Sequence, residues 1–376
     1  MTGRSCRSCR GAELTRVLDL GKTPAADHFP SISVPVSADP RHALAMDLCR
    51  RCGLAQLAED DTRVAEPSGI EPQALRDQAA AAVDLVGGAG WLRGRTAREF
   101  GSPHGGTWLP LLAARGFTEI HSRPAHVVLD TFGLMHEPDQ RAAVADRAAA
   151  TRRDGVLLLQ FHSLATIVAQ RQWNALRHGH FAYYSLTALR RLLGGTGLWP
   201  ATAWEFDLYG GSVMIAAVPR RVEPDASVRR ILTIESRLTD PAALGPLQEA
   251  ADRQAHDLVA WLEQEAAQGN RIYAYGAASR AVALFARAGL TRALLAGVAD
   301  AAPAKQGRRM PGTDIPIITP DELLAARPDR VLLTVPDLLP EVRRQLPALD
   351  DAWIPRIPVT PGSGQVPSRA GKHLRP

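Results

Sequence analysis

Residues 97–106, AREFGSPHGG, decide the fold of the middle of this chain, because a short strand-like run enters a glycine loop and then a helix near Trp108. A strand followed by a glycine loop and a helix is the opening unit of nucleotide-binding α/β domains. The glycines let a ligand approach the backbone closely, and the helix N-terminus favours anions or hydroxyls. One glycine loop is weak evidence, so the prediction also depends on the elements that follow.

Strands and helices alternate beyond this loop, which predicts a mostly parallel sheet. Two apolar runs flank Gly210 and Gly211, and such a tight turn predicts that they pair antiparallel. A parallel sheet that ends in an antiparallel hairpin is the architecture of many methyltransferases that use S-adenosylmethionine, which is an analogy of fold and not of function. The predicted elements are strands at 97–100, 126–130, 156–161, 199–207 and 212–218 and helices at 71–86, 139–153 and 186–193.

A second alternating unit occupies the C-terminal part. A long helical stretch at 228–268, broken by proline and glycine, predicts a helical hairpin that leads into a third domain. There a strand at 271–275 runs into Gly276 and a helix from Ser279, and Asp300 follows the next strand-like run. This repeats the dinucleotide-binding plan, but YGAASR at 275–280 is not GxGxxG and does not favour a dinucleotide.

The four cysteines form two CxxC pairs, Cys6 with Cys9 and Cys49 with Cys52, separated by 39 residues. Two such turns complete a closed Cys₄ site for one Zn²⁺ ion, with no ligand position left open for catalysis. Two disulfides are the competing interpretation, and a reducing compartment together with the paired CxxC spacing argues against them. A redox role for either CxxC is the remaining alternative. The sequence therefore predicts an α/β chain with three domains: a zinc module at 1–66, a Rossmann-like methyltransferase-type domain at 67–220, and a C-terminal Rossmann-like domain with its helical hairpin at 221–376.

Composition narrows the function classes. The chain has 376 residues, of which 45% are hydrophobic, and this suits two or three packed cores rather than disorder. We expect no membrane span, because no apolar run approaches about 20 residues, and no signal peptide, so the expected location is the cytoplasm. The net charge of +5 is spread over scattered arginines. This favours an anionic small molecule over nucleic acid as the partner.

The chemistry is expected in RHGHFAYYS at 177–185, which carries two histidines and two tyrosines in a chain with few aromatic residues. It follows the buried-strand pattern at 156–161, and open α/β sheets place ligand chemistry beyond such strand ends. The alternative interpretation is a surface loop whose histidines have no special role. The pattern by itself favours neither interpretation.

The whole chain resembles the three-domain, zinc-containing sugar C-methyltransferases of deoxysugar biosynthesis. The resemblance rests on CxxC followed by VLDLGKTP at 17–24 and CRRCGLAQL at 49–57. It also rests on a C-terminal signature made of Asp300, KQG at 305–307, PGT at 311–313 and Ile315-Pro316. In that family the middle domain binds S-adenosylmethionine, and a histidine takes the C3 proton of a nucleotide-linked 4-keto-6-deoxysugar before methyl transfer.

The resemblance implies roles for particular residues. His180 falls on the family's candidate base, His136 in LMHEPD falls on a second active-site histidine, and Tyr183 lies beside them. The implied cofactor-binding residues are Glu99, Gly101, Gly105, Glu119 and Asp130, and the implied substrate-binding residues are Tyr275, Arg280, Asp300 and Lys305. The implied ligands are structural Zn²⁺, S-adenosylmethionine and a nucleotide-linked sugar.

Several positions depart from the family pattern. Gly179 stands where the histidine motif has Glu, and Arg177 stands where it often has Tyr. Pro103-His104 replaces the polar-acidic pair of the glycine loop, and Tyr209 replaces a histidine before the Gly-Gly-Ser turn. Only 24 residues separate Gly105 from Asp130, so the cofactor-binding segment is shortened by a whole strand unit.

These departures leave four hypotheses. The chain is a methyltransferase with an unusual cofactor site, in which each lost charged contact weakens binding by roughly 1.5–3 kcal/mol. It is instead an epimerase, isomerase or dehydratase that kept proton abstraction from a carbon next to a ketone. The third hypothesis is a noncatalytic partner protein, and the fourth is a zinc-containing nucleic-acid binder, supported only by the mild basic charge. The sequence does not indicate the oligomeric state.

Overall fold

The computed structural model describes residues 4–62, 71–103, 106–207 and 210–356. Three β-sheets organise this part of the chain: one of four strands, one of six and one of five. His104, Gly105, Tyr209 and the C-terminal segment 357–376 lie outside the described residues.

The N-terminal module is an antiparallel sheet in the order β1-β2-β3-β8. Its first strands are β1 (Leu14–Pro24), β2 (Arg41–Cys49) and β3 (Ala55–Leu57). The fourth, β8 (Ala182–Tyr183), comes from the histidine-rich insert and pairs with β3. The insert at 177–185 is therefore hydrogen-bonded into the zinc module, a long-range contact that its sequence pattern did not predict.

The middle domain has a six-stranded sheet in the order β5-β4-β6-β7-β10-β9. Strands β4 to β7 are parallel, and β10 is antiparallel to both β7 and β9, as the glycine turn predicted. The strands are β4 (Thr96–Phe100), β5 (Thr118–Glu119), β6 (Ala125–Thr131), β7 (Thr151–His162), β9 (Trp199–Phe206) and β10 (Ser212–Val218).

The predicted shortening of this domain is visible at one edge of the sheet. Strand β5 has two residues, both exposed, and it is the edge strand in the described part of the chain. The chain then returns directly to β6, in the middle of the sheet. The second strand of the unit is therefore a remnant, and no further strand lies beyond it among the described residues.

Helices cover the middle sheet and begin at side chains that cap them. Asp139 accepts hydrogen bonds from two backbone N–H groups at the start of α3 (Gln140–Ala150). This helix ends earlier than the sequence predicted, because Thr151 already pairs with Ala125 in the sheet. The other helices before residue 200 are α1 (Gln73–Gly88), α2 (Leu109–Ala113), α4 (Leu164–Ala169) and α5 (Leu186–Gly194).

The two helices predicted as a hairpin pack on different neighbours. Helix α6 (Ala226–Ile234) lies on β9 and α5, and its Val228 and Ile231 enter the core of the middle domain. Helix α7 (Gly245–Ala267) packs instead on β1 of the zinc module and on α8 (Ser279–Arg287) of the C-terminal domain. The apolar face of α6 thus packs on the middle domain, whereas α7 packs on the other two.

The C-terminal domain is a parallel five-stranded sheet in the order β13-β12-β11-β14-β15. It keeps the full order of a Rossmann-like sheet, with β11 at its centre. Its elements are β11 (Ile272–Tyr275), β12 (Val298–Ala299), β13 (Ile317–Ile318), α9 (Pro320–Ala326), β14 (Arg330–Leu333), α10 (Leu339–Gln345) and β15 (Trp353–Ile354).

A buried ion pair ties the zinc module to the C-terminal domain. Arg309 forms a bidentate pair with Asp39, at 2.7 Å from Nη1 to Oδ2 and 2.6 Å from Nη2 to Oδ1, and both side chains are buried. A shared apolar core joins the same two regions. In the part of the chain that the structure describes, no helix is both long and apolar enough to span a membrane.

A candidate active site between the middle and C-terminal domains

The two CxxC turns bring all four cysteine thiols together beside β2. The Sγ atoms of Cys6 and Cys52 lie 3.5 Å apart, those of Cys9 and Cys49 lie 3.6 Å apart, and all four lie within 4.8 Å of one another. A tetrahedral site with Zn–S bonds of 2.3 Å places its sulfurs about 3.8 Å apart. The donor set and its spacing therefore fit one structural Zn²⁺ ion.

The surroundings of Cys6 favour its thiolate form, which is the form that binds zinc. The Cys52 thiol donates to Cys6, and the backbone N–H groups of Ser8 and Cys9 point at the same sulfur, which together lower the pKa of Cys6 to about 5 despite its burial. The effect is limited to Cys6, because burial raises the pKa of Cys49 and the hydrogen bond donated to Cys6 raises the pKa of Cys52. Zinc binding must therefore release protons from these other thiols.

A cavity of about 370 Å³ lies between the middle and C-terminal domains. Its volume is in the range of small-molecule sites. The middle domain contributes Ser102 and Gly106 from the glycine loop, Thr131 at the end of β6 with Phe132 after it, and His162 at the end of β7. The C-terminal domain contributes the strand ends of its parallel sheet, and the start of α1 lines a further side.

His136 and His180 contact each other at this cavity. Their ring centroids lie 4.5 Å apart in an edge-to-face arrangement, and His180 lines the cavity. The Nδ1 of His136 lies 3.1 Å from the carbonyl oxygen of Gly179, so Nδ1 carries the proton and Nε2 is the acceptor nitrogen of a neutral ring. The structure thus brings together two histidines that are 44 positions apart in the sequence.

His180 is itself held by Arg177. The Nε of Arg177 donates to the Nε2 of His180 at 2.7 Å, so a neutral His180 carries its proton on Nδ1. The Tyr183 hydroxyl accepts from the backbone N–H of Arg177 at 3.1 Å and donates to its carbonyl at 3.4 Å. Burial raises the pKa of Tyr183. Tyr183 therefore shapes the loop behind His180 and is not a lining residue of the cavity.

The zinc module holds the same loop from the other side. The backbone N–H of Gly179 donates to Asp60 at 2.7 Å, and His178 lies 3.1 Å from the carbonyl of Ala43 through its Nε2. Burial lowers the pKa of His178, so its neutral form is favoured and Nε2 donates to that carbonyl. Together with β8, these contacts make the position of His180 depend on the zinc module.

All four predicted substrate-binding residues, Tyr275, Arg280, Asp300 and Lys305, line the cavity. Asp300 accepts the backbone N–H groups of Ala277 at 2.7 Å and of Ala302 at 2.8 Å. Lys305 donates to the carbonyl of Ala277 at 2.9 Å, and its ammonium lies 3.8 Å from Asp300. These contacts fix the loop that follows β11 and place cationic groups beside it.

The predicted cofactor-binding residues do not lie together at one site. Gly101 follows β4 directly, and Gly105 lies outside the described residues. Glu99 accepts from the Thr107 hydroxyl and, at 2.9 Å, from the backbone N–H of Trp108. Its carboxylate thus ties the loop to the start of α2 instead of facing the cavity.

Glu119 and Asp130 also lie away from the described cavity lining. Glu119 is exposed at the edge strand and pairs with the exposed His121 at 3.0 Å. Asp130 is fully buried, pairs with Arg147 at 2.8 Å, and accepts the backbone N–H groups of Gly133 and Leu134. In this structure neither carboxylate reaches the place where the sequence put a ribose or adenine, because one faces solvent and the other is sealed in the core.

Three cavity residues were missed by the sequence reasoning. Glu71 approaches the glycine loop so closely that a Cβ at Gly106 would lie 2.5 Å from its carboxylate oxygen. Phe132 has a φ of +63°, rare for a bulky residue, and its ring stacks on His162 at 4.6 Å. His162 ends β7 and Phe132 directly follows β6, and these strand-end positions could have indicated them. Glu71 is separated from the loop by helix α1 and had no such signal.

Comparisons with known proteins agree with these features. Residues 6–63 match a methyltransferase-associated zinc binding domain, and residues 207–358 match the C-methyltransferase C-terminal domain. The chain is also 26% identical, over 90% of its own length and 90% of the relative's, to the C-methyltransferase NovU of Streptomyces niveus. In both matched segments, and over most of its length, the chain is therefore similar to C-methyltransferases.

These matches confirm the resemblance seen in the sequence, the zinc site of the four cysteines and the general class of enzyme. Solved structures with a partial likeness include the magnesium protoporphyrin IX methyltransferase of Synechocystis, at 16% identity and a TM-score of 0.30 over 41% of this chain and 90% of that one. Another is the 1,6-didemethyltoxoflavin-N1-methyltransferase of Burkholderia thailandensis, at 13% identity and a TM-score of 0.29 over 45% of this chain and 96% of that one.

Proposed function

We propose that this C-methyltransferase-like chain transfers a methyl group from S-adenosylmethionine to a carbon next to a ketone of a nucleotide-linked deoxysugar. The proposal rests mainly on His136 and His180, whose rings are in contact beside a cavity between the middle and C-terminal domains. A carbon next to a ketone becomes a nucleophile when a base removes its proton, and a neutral imidazole is suited to this at neutral pH. The similarity to NovU, which is a C-methyltransferase, supports methyl transfer to carbon.

The C-terminal side of the cavity suits the anionic part of such a substrate. Arg280 and Lys305 both line it. Gly276, which has a φ of +94°, lets the chain turn from β11 towards α8, and backbone N–H groups at such a helix start favour phosphate. A diphosphate on this side would place the attached sugar ring between the C-terminal loop and His180.

The middle-domain side retains part of a site for S-adenosylmethionine. The carboxylate of Glu71 lies over Gly106, where a Cβ would clash with it, and Trp108 and Phe132 add apolar surface. A carboxylate there matches the ammonium and sulfonium charges of the methionine half, and the bound cofactor supplies an electrophilic methyl group. In this interpretation Glu71 orients the cationic half while the aromatic side chains exclude water.

The adenosine half finds fewer partners. Glu119 faces solvent and Asp130 is paired with Arg147, so neither offers a free carboxylate to a ribose. Losing one such charge-assisted contact costs about 1.5–3 kcal/mol. We therefore expect an affinity for S-adenosylmethionine roughly 10–100 times weaker than with that contact intact.

Calorimetry with S-adenosylmethionine tests the cofactor assignment. The wild type should bind it, and Glu71→Gln should weaken binding by about tenfold or more, since a charged contact becomes a neutral one. Glu263→Gln, an exposed position on α7, is the matched control and should bind like the wild type. Absence of heat with the wild type would remove S-adenosylmethionine from the proposal.

Solvent-deuterium exchange into a 4-keto nucleotide sugar tests the base. His180→Asn should lower exchange by about 10²–10⁴-fold, the contribution of a general base. His136→Asn removes one imidazole and leaves the His180 ring in place, so the two variants together show which histidine is the base. Exchange that is lost in His136→Asn and kept in His180→Asn would assign the base to His136 instead.

The shortened sheet favours a second candidate function. An enzyme that abstracts the proton without methyl transfer, such as an epimerase, isomerase or dehydratase, needs the histidines and the anion side but not the lost strand. Exchange in the absence of cofactor, combined with no binding of S-adenosylmethionine in calorimetry, would favour this candidate. No exchange and no binding would favour a noncatalytic partner protein.

A further inference from the structure

The contact between Arg177 and His180 has a consequence for the base. A guanidinium is always protonated and only donates hydrogen bonds, so its Nε uses the lone pair on Nε2 of His180. The remaining ring nitrogen, Nδ1, then carries the proton. In this arrangement the Nε2 of His180 is not available to take a proton from a substrate.

The backbone of Arg177 is anchored while its side chain reaches across the cavity. Tyr183 is buried and holds both the N–H and the carbonyl of Arg177, at 3.1 Å and 3.4 Å. The guanidinium lines the cavity and also donates, through Nη1, to the hydroxyl of Ser279 at the start of α8. The same side chain thus links the base to the part of the cavity that is lined by Arg280 and Lys305.

A phosphate group competes well for such a guanidinium. Arginine binds phosphate through parallel charge-assisted hydrogen bonds, which are roughly twice as strong as bonds between neutral groups and have the geometry of the guanidinium fork. The histidine and serine contacts of Arg177 are both to neutral acceptors. An anion beside α8 therefore offers Arg177 a better set of acceptors than His180 does.

We propose that Arg177 is a positioning residue that keeps His180 from accepting a proton until the phosphate of the substrate draws the guanidinium away. The proposal deepens the proposed function and rests on it, since it assumes that His180 is the base. Release of Nε2 by the phosphate couples proton abstraction to the presence of a complete phosphorylated substrate. Ketones that lack phosphate enter the cavity but leave Nε2 of His180 hydrogen-bonded to Arg177.

Nitrogen NMR of protein labelled with ¹⁵N-histidine tests this without any turnover. Inorganic pyrophosphate is the probe, its saturation is checked by calorimetry, and His180→Asn assigns the signals. In the wild type, pyrophosphate should change the Nε2 signal of His180, because its hydrogen-bond donor leaves. The signal of His178, whose Nε2 faces the carbonyl of Ala43, is an internal control that should not move.

Variants of Arg177 complete the NMR test. Arg177→Gln should show the released His180 signal without pyrophosphate, and pyrophosphate should change it no further. Arg177→Met, which keeps a long apolar stem but has no hydrogen-bond donor, gives the same readout if the glutamine variant does not fold. A His180 signal that stays unchanged in saturated wild-type protein, or that is the same in wild type and a folded variant, would overturn the proposal.

A kinetic comparison tests the consequence for substrate choice. At saturating concentrations, wild-type protein should exchange deuterium into a 4-keto nucleotide sugar at least tenfold faster than into the same keto sugar without phosphate, and tenfold corresponds to about 1.4 kcal/mol. In Arg177→Gln this ratio should fall towards one through faster exchange into the phosphate-free ketone. A ratio unchanged by the substitution contradicts the proposal, whereas no exchange in any protein contradicts the proposed function and leaves the NMR test to decide on Arg177.

Discussion

The two sheets that face the cavity use their strand-end carboxylates differently. In the middle sheet Asp130 is completely buried and bound to Arg147 and two backbone N–H groups. In the C-terminal sheet Asp300 holds the backbone of its neighbouring loop and still lines the cavity. The place of an acid at a strand end is therefore not enough to predict a ligand contact, because a basic side chain from a covering helix can claim the carboxylate first.

The second strands of the middle and C-terminal sheets also differ, in position within the sheet and in burial. Strand β5 is an exposed two-residue edge, whereas β12 lies between β11 and β13 and is buried. An interior strand holds its following loop at the cavity, but an edge strand leaves it to solvent. The C-terminal domain thus keeps a buried second strand at the cavity, while the middle domain keeps only an exposed remnant of its own.

Removal of zinc should have the largest effect, and it should loosen the histidine insert at 177–184 more than the C-terminal sheet. Structural zinc contributes about 10–16 kcal/mol to small zinc-finger peptides at neutral pH, and β8 of the histidine insert pairs inside the zinc module. Stripping zinc with a chelator should speed amide hydrogen exchange over residues 177–184 while β11 and β14, in the middle of the C-terminal sheet, keep their protection. Equal loosening of both regions would show that the zinc module supports the whole molecule and not this loop in particular.

Arg147→Met should destabilise the protein by about 3–5 kcal/mol, because it leaves the carboxylate of Asp130 buried without its cation. Urea unfolding measures the loss. Arg152→Met is the matched control: its partner Asp154 is exposed, and such pairs contribute about 0–1 kcal/mol. Similar small losses in both variants would mean that Asp130 is open to solvent after all.

Acid should weaken the contact between Asp39 and Arg309. Burial by itself would raise the pKa of Asp39, but the hydrogen bonds from Arg309 and the N–H of Gly312 outweigh it and lower the pKa. A lowered pKa in the folded state stabilises it above the unfolded value of about 3.9, and this stability is lost as the pH falls through the folded value.

Urea unfolding at a series of pH values checks this. In Asp39→Asn, stability should fall less steeply below about pH 4, with the slope reduced by up to about 1.4 kcal/mol per pH unit for one proton. The variant should also be less stable than the wild type at pH 7. An acid slope identical to that of the wild type would assign the acid sensitivity to other carboxylates.

Asp300→Asn should have a smaller and local effect. Its amide can replace only one of the two carboxylate oxygens that accept from Ala277 and Ala302, so about 1–3 kcal/mol of local stability is lost. The measurement is hydrogen exchange at those two amides, with the exposed Asp321→Asn on α9 as control. Unchanged exchange would show that the loop is held by other contacts.

Glu119→Gln should have the smallest effect, within about 0.5 kcal/mol for both stability and binding of S-adenosylmethionine, since the side chain is exposed. Calorimetry and urea unfolding measure the two quantities. A clear loss of affinity would mean that the edge strand still binds the cofactor, and the difference between the two sheets would then be smaller than their structures indicate.

The sequence by itself determined the features whose signals are local. The two CxxC turns predict the zinc ligands because two residues between thiols suit one ion, and the apolar runs predict the strands because burial on both faces requires them. The count of 24 residues between Gly105 and Asp130 predicts the shortened sheet, since no complete strand and helix unit fits there. Each of these conclusions needs only neighbouring residues or a length of chain.

Only the tertiary structure decided which side chains meet. The pairing of β8 with β3, the carboxylate of Glu71 over Gly106 and the hydrogen bond from Arg177 to His180 follow from how the elements pack. The first two join segments far apart in the chain, and the third depends on the rotamers of a loop whose backbone Tyr183 holds. Such contacts leave no periodic pattern in the sequence, because packing between distant segments sets the first two and side-chain rotamers within a packed loop set the third.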